Sequence, residues 1–141
     1  MSTPNLLSPA CVVVAFSPDD YGRAALEHGA ALARTSGGRL VVVNDTRGDS
    51  YVDRRFAQDD EIATLQEQLT ADGVDVEVRH EVVPDVADAV LDAAEQSGTD
   101  LLVVGVRHRN PVGKLILGSV AQRLILEAPC PVLAVKPSRS R

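Results

Sequence analysis

Four short aliphatic runs constrain this chain more than anything else in it. They are residues 10 to 17 (Ala-Cys-Val-Val-Val-Ala-Phe-Ser, stopped by Pro18), Leu40-Val41-Val42-Val43, Leu101-Leu102-Val103-Val104 and Val132-Leu133-Ala134-Val135. Unbroken valine-rich runs of this length suit strands buried on both faces, as in a parallel sheet. A fifth segment, Val74-Asp75-Val76-Glu77-Val78, alternates apolar and charged residues and is expected at a sheet edge. Helical patterns lie between the runs. Asp19 is placed to cap an alanine-rich helix over Arg23 to Arg34 that Gly37-Gly38 ends. Phe56, Ile62, Leu65 and Leu69 form a stripe that stops before Gly73. Val86, Ala89, Val90, Ala93 and Ala94 repeat at helical spacing between Pro84-Asp85 and Gly98. A last helix is expected from Ser119 to Glu127, with Pro129 ending it. Strict strand–helix alternation implies a doubly wound α/β sheet with helices on both faces, whose ligands bind beyond the carboxyl ends of the strands. The segments that matter are therefore Phe16–Gly22, Asn44–Asp49 and Gly105–Ser119.

Length and composition narrow the function classes. At 141 residues and 15.0 kDa the chain is one domain, and 45% hydrophobic with 24% charged residues excludes a disordered chain. No apolar run approaches the roughly 20 residues of a bilayer helix. The opening Met1-Ser2-Thr3-Pro4-Asn5 does not resemble a secretory signal. Two cysteines, Cys11 and Cys130, are too few for a disulfide scaffold and suit a reducing compartment. Three scattered histidines and no CxxC argue against zinc. The expectation is a cytoplasmic protein with no membrane and no nucleic-acid partner. Charge is uneven: from Val106 onward the chain carries +6, and the remainder −12, which points to a local anion site.

The unusual segment is Gly105-Val-Arg-His-Arg-Asn-Pro-Val-Gly-Lys-Leu-Ile-Leu-Gly118-Ser119. A strand enters it and a helix leaves it, and N–H groups at a helix start attract phosphate. Glycine admits close backbone approach, while Arg107, Arg109 and Lys114 add positive charge. A Walker A loop is excluded, because His108 and Leu115 stand where it needs Gly and Ser or Thr. A dinucleotide fingerprint is excluded too, since Phe16-Ser17-Pro18-Asp19-Asp20 lacks GxGxxG.

Together these segments resemble the universal stress protein family over nearly the whole chain. The resemblance rests on Val12-Val13-Val14-Ala15, Arg23-Ala24-Ala25-Leu26, Gly98-Thr99-Asp100 through Gly105, Leu117-Gly118-Ser119-Val120-Ala121 and Ala128-Pro129-Cys130-Pro131 through Val135. It implies a five-stranded sheet in order 3-2-1-4-5, of the adenine nucleotide alpha hydrolase-like type, and a homodimer paired through the last strands. It divides the chain into an N-terminal segment expected to be flexible (1–9), the domain (10–136) and a C-terminal tail (137–141). The ATP-binding members carry G-x2-G-x9-G-[ST]. Here Gly105, Gly118 and Ser119 match, His108 replaces the second glycine, and Ser17 stands where an Asp is usual.

The resemblance thus implies a stress-response protein that binds ATP or another adenine nucleotide, with or without Mg²⁺. Gly105, Gly118, Ser119 and the backbone of Val120 would cradle phosphates, and Arg107 and Arg109 would neutralise them, beside His108. The adenine would rest near Ala15, Phe16, Ser17 and Val43, met by backbone around Val43 and Asn44. Val132, Leu133, Ala134 and Val135 would form the dimer interface, with protein clients unspecified. No convincing base, nucleophile or metal triad is present, so a non-enzyme is expected. Two alternatives stand beside this: a nucleotide-free dimeric interaction module, and an ATPase holding Mg²⁺ through Asp19 or Asp20.

Overall fold

The computed structural model describes residues 8–47, 57–96, 98–106 and 117–137. Phe56, Arg107, His108, Arg109 and Lys114 lie outside these, as do residues 1–7 and 138–141. The elements alternate as β1 (Cys11–Ala15), α1 (Asp20–Ser36), β2 (Arg39–Val43), α2 (Asp59–Ala71), β3 (Asp75–Arg79), α3 (Val86–Gln96), β4 (Leu101–Gly105), α4 (Ser119–Glu127) and β5 (Val132–Val135). All pairings are parallel and the order is β3-β2-β1-β4-β5, so the direction of winding reverses between β1 and β4.

The valine runs are what two-sided burial requires. Successive strand residues point to opposite faces. Val12, Val14, Leu40, Val42, Leu101 and Val103 pack under α1 and α2. Cys11, Val13, Val41, Val43, Leu102 and Val104 pack under α3 and α4. Val12, Val13 and Val14 are fully buried, and each contributes about 1.5–3 kcal/mol by burial.

The alanine content of α1 has a steric cause. Asp19 caps the helix, accepting from the Gly22 N–H at 2.9 Å, and Gly37 ends it in the left-handed region at φ 70°. Between them Ala24, Ala25, Gly29, Ala30 and Ala33 form the buried face. At Gly29 a Cβ would stand 2.4 Å from Val14 Cγ2, so the helix lies closer to β1 than any larger residue would permit. On the other layer, Arg123 of α4 bonds Asp85 and Asp88 at the start of α3, at 3.1 and 2.7 Å. No helix among the described residues is long and apolar enough to cross a membrane.

Cys11 is buried at the start of β1, whereas Cys130 is half-buried and precedes β5. Burial pushes both thiols up, so neither is held as a reactive thiolate.

Gly29→Ala should lower stability by about 1–3 kcal/mol through overpacking. Adding Val14→Ala, which removes the clashing methyl, should make the double variant lose less than the sum of the single losses. Urea unfolding midpoints of the three variants check this, and strict additivity would contradict the close contact.

Candidate functional site

Beyond the carboxyl ends of β2, β1 and β4, where the winding reverses, the described residues enclose a cavity of about 160 Å³. Its floor continues the apolar face under α3 and α4: Ala15, Val43 and Val104 from the sheet, Val86 and Val90 from α3. One side is formed by Phe16, Ser17, Asp19, Tyr21 and Gly22 in the β1–α1 turn. The other is the start of α4, with Gly118, Ser119, Val120 and Ala121. A wider groove of about 380 Å³ runs between α1 and α2, but acidic Glu27, Asp60 and Glu61 line it and oppose an anion. The smaller cavity has the chemistry.

The start of α4 supplies donors. Gly118 is the N-cap, and the first helical bond runs from the Gln122 N–H to its carbonyl at 3.0 Å. The N–H groups of Ser119, Val120 and Ala121 therefore precede the intrahelical ladder and carry the positive end of the dipole. Gly118 has ordinary extended backbone, φ −67° and ψ 157°, and a Cβ there would meet nothing within 4 Å. Its lack of a side chain is thus not required by packing, and it leaves space in the cavity wall. Gly105 is different, because a Cβ there would stand 2.1 Å from the Tyr21 carbonyl oxygen. That glycine is explained by the first turn of α1 lying over the end of β4, not by an anion.

Ser17 and Asp19 are engaged with each other. Ser17 Oγ donates to Asp19 Oδ1 at 2.9 Å, and the same oxygen accepts from the Gly22 N–H. The buried Asn44 fixes the turn from beneath: its Nδ2 donates to the Phe16 carbonyl at 2.9 Å and its Oδ1 accepts from the Ala57 N–H at 2.8 Å. The Ala57 carbonyl in turn lies 2.9 Å from His80 Nε2. No cluster of three or more metal-ligating side chains occurs among the described residues.

Ala15, Phe16, Ser17, Val43, Gly105, Gly118, Ser119 and Val120 all line the cavity, whereas Arg107, His108 and Arg109 lie outside the described residues. Two of the backbone groups expected near a base are already in use. The Val43 carbonyl accepts from the Phe16 N–H at 2.9 Å, and the Asn44 N–H donates to the Arg79 carbonyl at 2.8 Å, so both belong to the sheet ladder. That ladder continues past the end of β2: the Thr46 N–H donates to the Glu81 carbonyl, and the Thr46 carbonyl accepts from the Val83 N–H. Since residues 44 and 46 face β3, alternation turns the peptide groups of Asp45 toward β1 and the cavity.

Asp45 lies in the Asn44–Asp49 segment marked by the sequence, which did not single it out as a site residue. It lines the cavity, and its Oδ1 accepts from the Glu81 N–H at 2.7 Å. Burial pushes its carboxyl above the usual range, helped by the nearby Glu81 charge and opposed by the Glu81 N–H bond, Arg79 and His80.

An acid raised on folding makes the folded state bind its proton more tightly, so stability is lost as pH rises through the interval above the ordinary 3.8. Asp45→Asn keeps an acceptor for the Glu81 N–H and titrates in neither state. The variant should be more stable than the parent at neutral pH, with the advantage closing below pH 3.8. Thermal or urea midpoints across pH check the sign.

Residues 11–136 match the family described as the Universal stress protein family. A universal stress protein of Mycolicibacterium smegmatis is 52% identical over 126 residues, which are 89% of this chain and 97% of that protein. Among solved structures, a universal stress protein from Archaeoglobus fulgidus is 28% identical with a TM-score of 0.66, covering 96% of this chain and 100% of its own. A universal stress protein in complex with cAMP is 27% identical with a TM-score of 0.65, covering 93% and 99%.

Proposed function

The chain belongs to the universal stress protein family, and on that footing we propose that it is a homodimeric, cytoplasmic stress-response protein that binds an adenine nucleotide, ATP among the candidates, without turning it over. One observation carries the reading: at the point where the sheet reverses, the donor-rich start of α4, with the vacant space at Gly118, faces an apolar floor of Val43, Val86, Val90 and Val104. A phosphate suits the first wall and a flat base the second. The related structure bound to cAMP, 27% identical, supports an adenine ring in this class of fold. The described walls enclose about 160 Å³, below the roughly 300–1,000 Å³ of typical ligand sites.

Binding without catalysis fits the acids present. Asp19 caps α1 and holds Ser17 through one carboxylate oxygen, a structural use of the acid beside the cavity. The cytoplasmic assignment draws on two free cysteines. The nucleotide-free alternative is favoured by one feature, the Ser17 hydroxyl already engaged with Asp19.

Calorimetric titration with ATP, AMP and cAMP separates these readings. Binding tighter than about 100 μM, roughly −5.5 kcal/mol, supports the nucleotide site, and no heat with any of them supports the interaction module. Gly118→Val, whose side chain enters the space beside the α4 N–H groups, should abolish binding while the protein stays folded. Unchanged affinity would remove the phosphate cradle.

The dimer rests on the contrast between the two sheet edges. β3 carries Asp75, Glu77 and Arg79, with Glu77 paired to Arg39 and Arg79, whereas β5 is wholly apolar, with Leu133 36% and nearby Leu126 74% exposed. An exposed apolar edge calls for a partner strand. Sedimentation should give a dimer, and Leu133→Lys should shift it toward monomer without loss of nucleotide affinity.

A further inference from the structure

We propose that Asp45 reads the base, its carboxylate accepting from an exocyclic amine and so selecting a 6-amino purine over a 6-oxo purine; this rests on the nucleotide reading of the cavity. The geometry orders the ligand. Donor groups of α4 stand at the β4 end, the Phe16–Ser17 turn at the β1 end, and Val43 with Asp45 at the β2 end. Two strand spacings, about 10 Å, separate the first from the last. A nucleotide with phosphate at α4 and sugar at the β1 turn places its base over β2, where Val43, Val86 and Val90 offer apolar contact.

Asp45 is the charged side chain at that end. One oxygen accepts from the Glu81 N–H at 2.7 Å, and the other has no hydrogen-bond partner among the described residues. An ionised carboxylate only accepts, so it demands a donor from the ligand and opposes a carbonyl oxygen. Leaving such a half-buried acceptor unanswered penalises the wrong base, which is how polar sites discriminate strongly. The peptide groups of Asp45, turned toward β1 by the ladder at Asn44 and Thr46, flank the same position.

The test compares AMP, IMP and 2′-deoxy-AMP on the intact parent protein and on Asp45→Asn. A carboxamide keeps the acceptor for the Glu81 N–H, so the variant should fold, and it can also turn an N–H toward a 6-oxo group. The parent should bind AMP at least tenfold more tightly than IMP. In Asp45→Asn the preference should fall to threefold or less, with the AMP to 2′-deoxy-AMP ratio unchanged. An AMP to IMP ratio that survives the substitution overturns the proposal. So does a substitution that instead changes the 2′-deoxy ratio, since the carboxylate would then read the sugar. If the parent binds none of the three, the nucleotide reading itself fails, and the role of Asp45 with it.

Discussion

Everything at the site depends on how closely α1 lies against the two central strands. The helix is held in close contact in two places, where Gly29 meets the Val14 side chain and where the Tyr21 carbonyl meets Gly105. Neither contact tolerates a methyl group. Because the first turn of α1 is pressed onto the end of β4, the β1–α1 turn cannot fold over the point where the sheet reverses. It stands to one side and becomes a wall, so that a packing constraint of the core leaves the cavity open. The tight contacts are dispersion-rich and unforgiving, as interiors of crystal-like density are.

Much of this was legible in the sequence because burial on two faces leaves no choice of residue. Val12 to Val14 and Val41 to Val43 must be aliphatic whichever way they point, and the runs announce themselves. The edge character of β3 was legible for the opposite reason, its alternating charges. The cavity was less so. Gly105 was marked as unusual, yet its cause is a neighbouring carbonyl, and a glycine kept for packing has the same letter as one kept for a ligand. The extension of β2 through Asn44 and Thr46 had no signal at all. Polar residues after a valine run look like a turn, and only the ladder to Glu81 and Val83 shows that the strand direction persists. Asp45 was missed with it.

The site joins a general feature of doubly wound folds to a feature of this chain. Donors at a helix start opposite an apolar floor are what the architecture supplies to any anion with a flat appendage. A half-buried carboxylate among valines is not supplied by architecture. It raises the energy of the ligand-free state, as the upward displacement of its titration indicates, and such local cost is common where recognition is needed.

The Asn44 carboxamide has a mechanical consequence. It is a rivet through three pieces of chain: its own strand, the Phe16 carbonyl in the cavity wall and the Ala57 N–H just before α2. Pulling any one piece away strands a buried polar atom, at about 1–3 kcal/mol. The Phe16 wall and Ala57, just before α2, are thus tied through one side chain, and displacing either works against that tie.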